Sequence, residues 1–186
     1  MKKILALLGL AACSLGYAQG TLVVNNYSIY DFEGYFIATN PAAPDCYPYV
    51  TSGDPSVIIV PADSHVGNGK ALVYDNYREQ FVKSLYPMTS WNVTLSSVSP
   101  ITPRLWSHGA VAPNGTVANN TRWSATKFRT FLPGTTNQAP GGFGGPIALA
   151  NSCYNVPSSF TTSLGNTAEI FTVTSGSTST TFIQLY

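Results

Sequence analysis

The sequence predicts an all-β, mainly antiparallel protein of about ten short strands, packed as a two-sheet, jelly-roll-like β-sandwich. Three observations carry that reading. Runs rich in Val, Ile, Thr, Tyr and Phe recur at roughly 8–15-residue spacing, with Gly, Pro, Asn and Ser between them. The best-defined run alternates: Trp91, Val93 and Leu95 point one way and Asn92, Thr94 and Ser96 the other, as in a half-buried strand. Helical periodicity is confined to one stretch, 76–86. A closed barrel is the alternative arrangement of the same strands.

The fold is expected to build on Thr21–Thr39, where Tyr30 and Phe32 face one side and Asp31 and Glu33 the other. Asn25-Asn26 and Gly34 should break this stretch into two strands. Asn40–Pro55, with four prolines, reads as a loop tied down by Cys46. Val57–Val60 and Ala71–Tyr74 are short strands. Over 76–86, Tyr77, Phe81, Val82, Leu85 and Tyr86 share a helical face, Asn76 and Glu79 supply a cap, and Pro87 stops it. A strand over Gln80–Tyr86 is the competing assignment.

Pro100–Pro113, which holds Trp106 and His108, is broken by prolines. Thr121–Leu132 is a strand with Trp123, Ala125 and Phe131 expected on one side. Pro133–Pro146 is a glycine-rich segment without the Gly-Lys-Ser/Thr ending of a phosphate loop, and is expected to be a flexible loop. Ile147–Ala150, Ser159–Leu164, Glu169–Thr174 and Thr180–Tyr186 complete the strands, the last two joined by a turn at Ser175-Gly176-Ser177. Thr180–Tyr186 has no Lys or Pro to blunt pairing, so it is expected at a sheet edge, with homo-assembly through this strand as one route to a partner.

Residues 1–19 read as an export signal: Lys2 and Lys3, an apolar run, then Gly16-Tyr17-Ala18 before the cut. Residues 20–186 then form a single domain. The apolar run is shorter than the roughly 20 residues of a membrane span. Leu10-Ala11-Ala12-Cys13 resembles a lipobox, so a lipid anchor on Cys13 is the alternative to a secreted chain. Charged residues are 9% of the chain, against about 25% in an average domain. Without Lys2 and Lys3, seven cations face eight acids. This balance argues against nucleic acid, which needs clustered cations. Cys46 and Cys153, an even pair in an exported chain, are expected to form a disulfide.

Little in the sequence points to catalysis. Asp63, Ser64 and His65 are adjacent, but no Gly-x-Ser-x-Gly elbow accompanies them. Acids for glycoside chemistry would have to come from Asp31, Glu33, Asp54, Asp75, Glu79 or Glu169, none in a motif. Calcium at Asp31/Glu33 or near Asp45 and Asp54 lacks an EF-hand spacing; no metal or cofactor is expected. The positive signal is aromatic. Tyr47, Tyr49, Trp106, Phe143 and Tyr154 lie among turn residues, where exposed rings can stack on sugar faces.

The opening TLVVNN with the Tyr/Phe-rich strand after it, the later VIIVPADS, and the Tyr-Ala-Gln ending of the signal resemble small secreted β-sandwich proteins of Bacteroidota. The resemblance covers about the first third of the chain, is built of common strand and turn elements, and implies a fold and an extracellular, bacterial setting but no functional residue. The expectation is a secreted or cell-surface, non-catalytic binding or adhesion module, its ligand a glycan or other surface ligand. A self-assembling structural subunit is the alternative, and a small secreted hydrolase the third reading.

Overall fold

A six-stranded and a seven-stranded sheet pack face to face around an aromatic core in a computed structural model, which describes residues 20–80, 85–150, 152–176 and 178–186. Residues 1–19, expected to be an export signal, and with them Cys13, lie outside the described residues. The strands in chain order are β1 (Thr21–Asn26), β2 (Asp31–Thr39), β3 (Tyr49–Asp54), β4 (Ile58–Val60), β5 (Leu72–Asp75), β6 (Arg78–Glu79) and β7 (Ser90–Thr94). There follow β8 (Thr102–Leu105), a one-turn helix α1 (Thr116–Asn120), β9 (Arg122–Phe131), β10 (Gly144–Ala148), β11 (Ser159–Thr161), β12 (Thr167–Ser175) and β13 (Thr178–Leu185). The first sheet runs β11-β12-β13-β1-β5-β6, and the second β10-β9-β2-β3-β7-β8 with β4 paired to β2. The pairing is antiparallel except between β1 and β13, which run parallel. The predicted two-sheet sandwich is thus the fold, with more strands than expected.

Alternation explains the core. Leu22 and Val24 of β1, Leu72 and Tyr74 of β5, and Ile183 and Leu185 of β13 are buried from the first sheet. Phe32, Phe36, Trp91 and Trp123 meet them from the second. At the centre, Tyr74, Tyr77, Trp91 and Trp123 contact one another with ring centroids 5.2–6.0 Å apart. The indole of Trp91 donates to the Tyr77 carbonyl at 2.8 Å, and the Tyr77 hydroxyl pairs with Thr121 at 2.7 Å. Trp91 and Tyr77 can be buried because their polar ends find partners, whereas the buried Tyr74 hydroxyl has none.

Several expectations are corrected. The helix over 76–86 does not begin as one. Asn76 takes a left-handed φ of 53° and opens a two-residue turn between β5 and β6, with Asp75 opposite Arg78. Asn tolerates that conformation, and the hairpin drives Tyr77 into the aromatic core. Residues 81–84 of the same stretch lie outside the described residues. Gly34 does not interrupt β2; the break falls at 27–30. A Cβ on Gly34 would lie 2.5 Å from the Lys127 carbonyl oxygen, so glycine there permits close approach of β9.

Leu95 falls beyond the end of β7 and is 59% exposed, so Trp91 and Val93 alone face the core. Pro103 sits inside β8, an edge strand where its missing N–H costs no ladder bond. The faces of β9 also differ from expectation. A bulge opposite Ile37 and Ala38 skips Ser124, so Trp123 joins Phe128 in the main core. Ala125 turns outward with Ile37 and Ala148. One extra residue reverses the side on which every later residue falls. The glycine-rich 133–146 segment is ordered by backbone bonds from Leu132 to Asn137, Ala139 to Thr130 and Thr130 to Phe143, and its end is β10. Finally, β13 is no edge: it lies between β12 and β1. Its N–H and C=O groups are used on both sides, which leaves none to recruit a second chain.

Glu79 of β6 is fully buried beside Tyr74, and neither carboxyl oxygen has a hydrogen-bond partner. Burial raises its pKa from 4.5 to about 7; the backbone of Met88 and Tyr86 pulls the other way but lies outside hydrogen-bond geometry. The folded state therefore holds a proton that the unfolded chain releases. The stability this group contributes is full below pH 4.5 and is lost as pH rises through about 7. Glu79→Gln should abolish about 3 kcal/mol of that pH dependence. Urea midpoints of both proteins at pH 5 and pH 8 check this, and parallel profiles for the two would refute it.

Candidate functional site

The disulfide brings the first candidate region together. Cys46 and Cys153, 107 positions apart in sequence, are bonded with their Cα atoms 5.9 Å apart. This fits the pairing expected from cysteine parity. Asn40 organises the loop that presents Cys46: its amide N–H donates to the Tyr47 carbonyl at 3.0 Å, and its backbone N–H to that of Cys46 at 3.1 Å. Tyr49 and Tyr154 then pack with Val156 over Ile37, Ala125 and Ala148 on the outer face of the second sheet. Burial pushes the Tyr154 phenol far above the ordinary tyrosine range, helped by its hydrogen bond to Tyr49 and by the nearness of Tyr49 and Tyr47.

Of the five rings expected to bind ligand, Tyr47, Tyr49 and Tyr154 therefore converge. They do so as a half-buried cluster closed against the disulfide. Trp106 lies elsewhere, half-buried against the main core with the Arg78 guanidinium 4.9 Å from its ring centroid. Phe143 is corrected to a core residue. It is 2% exposed and meets Phe128, Phe160 and Tyr30 edge-on at 5.9–6.4 Å. The turns around it looked like an exposed loop, but they fold back along β9 and carry the ring inward.

A concave site lies further along the same outer face. It is a groove with a volume of about 530 Å³, within the range of small-ligand sites. Its polar wall is Glu33 and Tyr35 from β2 and Lys127 and Arg129 from β9. The register sets Glu33 opposite Arg129 and Tyr35 opposite Lys127. Tyr35 is 37% exposed, and Lys127 and Arg129 are exposed. Along the far rim run Gly144 and Gly145 of β10. A Cβ on Gly144 would sit 2.8 Å from the Cα of Arg129. Glycine is therefore required for β10 to pair here, and it leaves the groove open above β9.

The charges in this groove are not spent on one another. Among the described residues the only ion pair is His65 with Asp63, at 3.2 Å. Glu33 and Arg129 face each other without forming one. Asp31, by contrast, is fully occupied: its two oxygens accept the backbone N–H groups of Ala62 and Gly134, each at 2.9 Å. It pins two loops. Glu33 and Phe143 were the only groove residues singled out as candidates in the sequence. Tyr35, Lys127 and Arg129 carry a weak signal, two polar or aromatic side chains at i and i+2 on each of two long strands, but nothing local says that these strands pair.

The adjacent Asp63, Ser64 and His65 do not form a triad. His65 meets Asp63, while Ser64 is buried and its hydroxyl pairs with Tyr86 at 3.2 Å. His65 also stacks on Tyr27, which stacks on Tyr186, with centroids 4.5 and 5.4 Å apart. These rings support one another at one end of the first sheet. No helix among the described residues is long and apolar enough to cross a membrane. Comparison of the chain with family models, with curated proteins and with solved structures finds no match in any of the three.

Proposed function

We propose that this chain is an extracellular, non-catalytic binding module, and that its ligand is a glycan held in the groove of the second sheet. The observation that carries this reading is the groove itself. One exposed tyrosine ring, two unpaired cations and one unpaired carboxylate line a concave surface kept open by glycine. A sugar presents an apolar face for the ring and hydroxyls for the charged groups. The disulfide suits an oxidising compartment.

The edges of the sandwich favour binding over edge-to-edge assembly. With β13 inside its sheet, the free edges among the described residues are β11, β4 and β6, of three, three and two residues, and β10 and β8, which carry Pro146 and Pro103. Short or proline-bearing edges are the usual protection against adding a second chain.

The test is a glycan array probed with the exported, disulfide-bonded chain. Binding to a defined set of sugars is expected. Tyr35→Ala should weaken the best hit about tenfold, the worth of one lost stacking contact. Absence of any hit, or a Tyr35→Ala protein that binds as the parent does, would remove the groove from consideration.

A further inference from the structure

We infer that the groove selects acidic sugars, that is, glycans bearing carboxylate or sulfate groups; this rests on the glycan-binding reading above. Lys127 and Arg129 project from the same face of β9, two residues apart. That spacing places their origins about 7 Å apart, enough to meet two anionic groups on one bound chain. The chain beyond the export signal has only seven cations. To find two of them side by side in one groove, exposed and outside any ion pair, is a strong local bias.

The acids nearby do not cancel it. Asp31 keeps its charge, but it does not line the groove, and its oxygens are turned to the backbone N–H groups of Ala62 and Gly134. Glu33 is the one acid in the lining, against Lys127 and Arg129, so the lining carries one positive charge in excess. A planar guanidinium grips a carboxylate or sulfate through two parallel hydrogen bonds, and the Lys ammonium acts as a second point charge. Glu33 accepts hydroxyl hydrogens and repels an anionic group from its own position. The arrangement therefore sets the register of an acidic sugar: anionic groups over Lys127 and Arg129, hydroxyls over Glu33, and a ring face on Tyr35. A neutral sugar uses Tyr35 and Glu33 but leaves both cations without a counter-charge.

Calorimetric titration of the exported, disulfide-bonded chain tests the assignment with four probes of matched length. They are a galacturonate hexasaccharide, the same hexasaccharide with its carboxyls reduced to alcohols, a sulfated hexasaccharide and a single-stranded hexanucleotide. An acidic sugar should bind at least about tenfold more tightly than the neutral one, with an advantage that shrinks as salt is raised. Whichever of the carboxylated and sulfated probes binds more tightly identifies the anionic group. Lys127→Gln/Arg129→Gln should bring acidic and neutral sugars to equal affinity, whereas Tyr35→Ala should weaken both. Equal binding of neutral and acidic sugars by the parent chain would overturn the acidic assignment and leave the glycan-binding reading standing. Failure to bind any sugar would overturn both. Binding of the hexanucleotide as tightly as the acidic sugars would reduce the groove to a general polyanion site and overturn the assignment.

Discussion

Asn26→Ala is expected to destabilise the protein by about 4 kcal/mol, more than any other single polar substitution proposed for this chain. Asn26 is fully buried at the end of β1. Its two amide hydrogens serve three carbonyls, those of Tyr30 at 2.8 Å and of Val60 and Pro61 at 3.0 Å. Its side-chain oxygen accepts the Ser28 hydroxyl at 2.7 Å and the Ser28 N–H at 3.2 Å. One side chain thus stitches the crossing from the first sheet to the second onto the end of β4. Alanine takes this donor from the buried Val60 carbonyl and from the part-buried Pro61 carbonyl and removes the acceptor of the buried Ser28 N–H, while Tyr30 keeps only the Ser28 hydroxyl, so the cost exceeds the net value of the bonds. The melting temperature should fall by about 10 °C for a chain of this size. Asn26→Asp, which keeps the acceptor but loses the donors, should recover little. A loss below about 1 kcal/mol in chemical denaturation would mean that water replaces the network.

Replacing both cysteines is the second large effect. Cys46→Ala/Cys153→Ala opens a covalent loop across 107 positions. On the chain-entropy account that releases up to about 4.7 kcal/mol of unfolded-state entropy. The substitution should also act locally. Tyr47 and Tyr154 adjoin the bonded cysteines, and burial against Tyr49 holds the Tyr154 phenol far above the ordinary value of 10.0. Without the bond, its titration should move down toward that value. Intact mass of the unreduced parent should show no alkylation at these positions. Two alkylated thiols in the unreduced protein would rule the bond out, and unchanged stability of the double variant would show that the tie constrains little.

The positions of these two features illustrate what local pattern can and cannot carry. Residue chemistry alone identified most strands, because alternation such as Trp91/Val93 reports burial of one face whichever strand lies alongside. It identified the disulfide partners, because two cysteines admit one pairing. It placed Asn26 at a chain break, but not at the centre of a network reaching Val60 and Pro61, since those carbonyls arrive from another sheet.

Register, order and face were decided by tertiary structure. The alternation of β13 is the same for an edge and an interior strand, and only its two neighbours, β12 and β1, settle which it is. Ser124 is bulged because β9 must follow β2 past Ile37 and Ala38, and that single extra residue sends Trp123 inward and Ala125 outward. The helical spacing of 76–86 gave way at its start to a hairpin, because Tyr77 gains more from the aromatic core than a short isolated helix can offer. The groove arises in the same way: Glu33 and Tyr35 are nearly a hundred residues from Lys127 and Arg129, and they share a surface only because antiparallel pairing of β2 with β9 puts them opposite one another. Strand propensity is a property of neighbours in sequence. A binding surface on a sheet is a property of neighbours across it, and those are chosen by how the whole core closes.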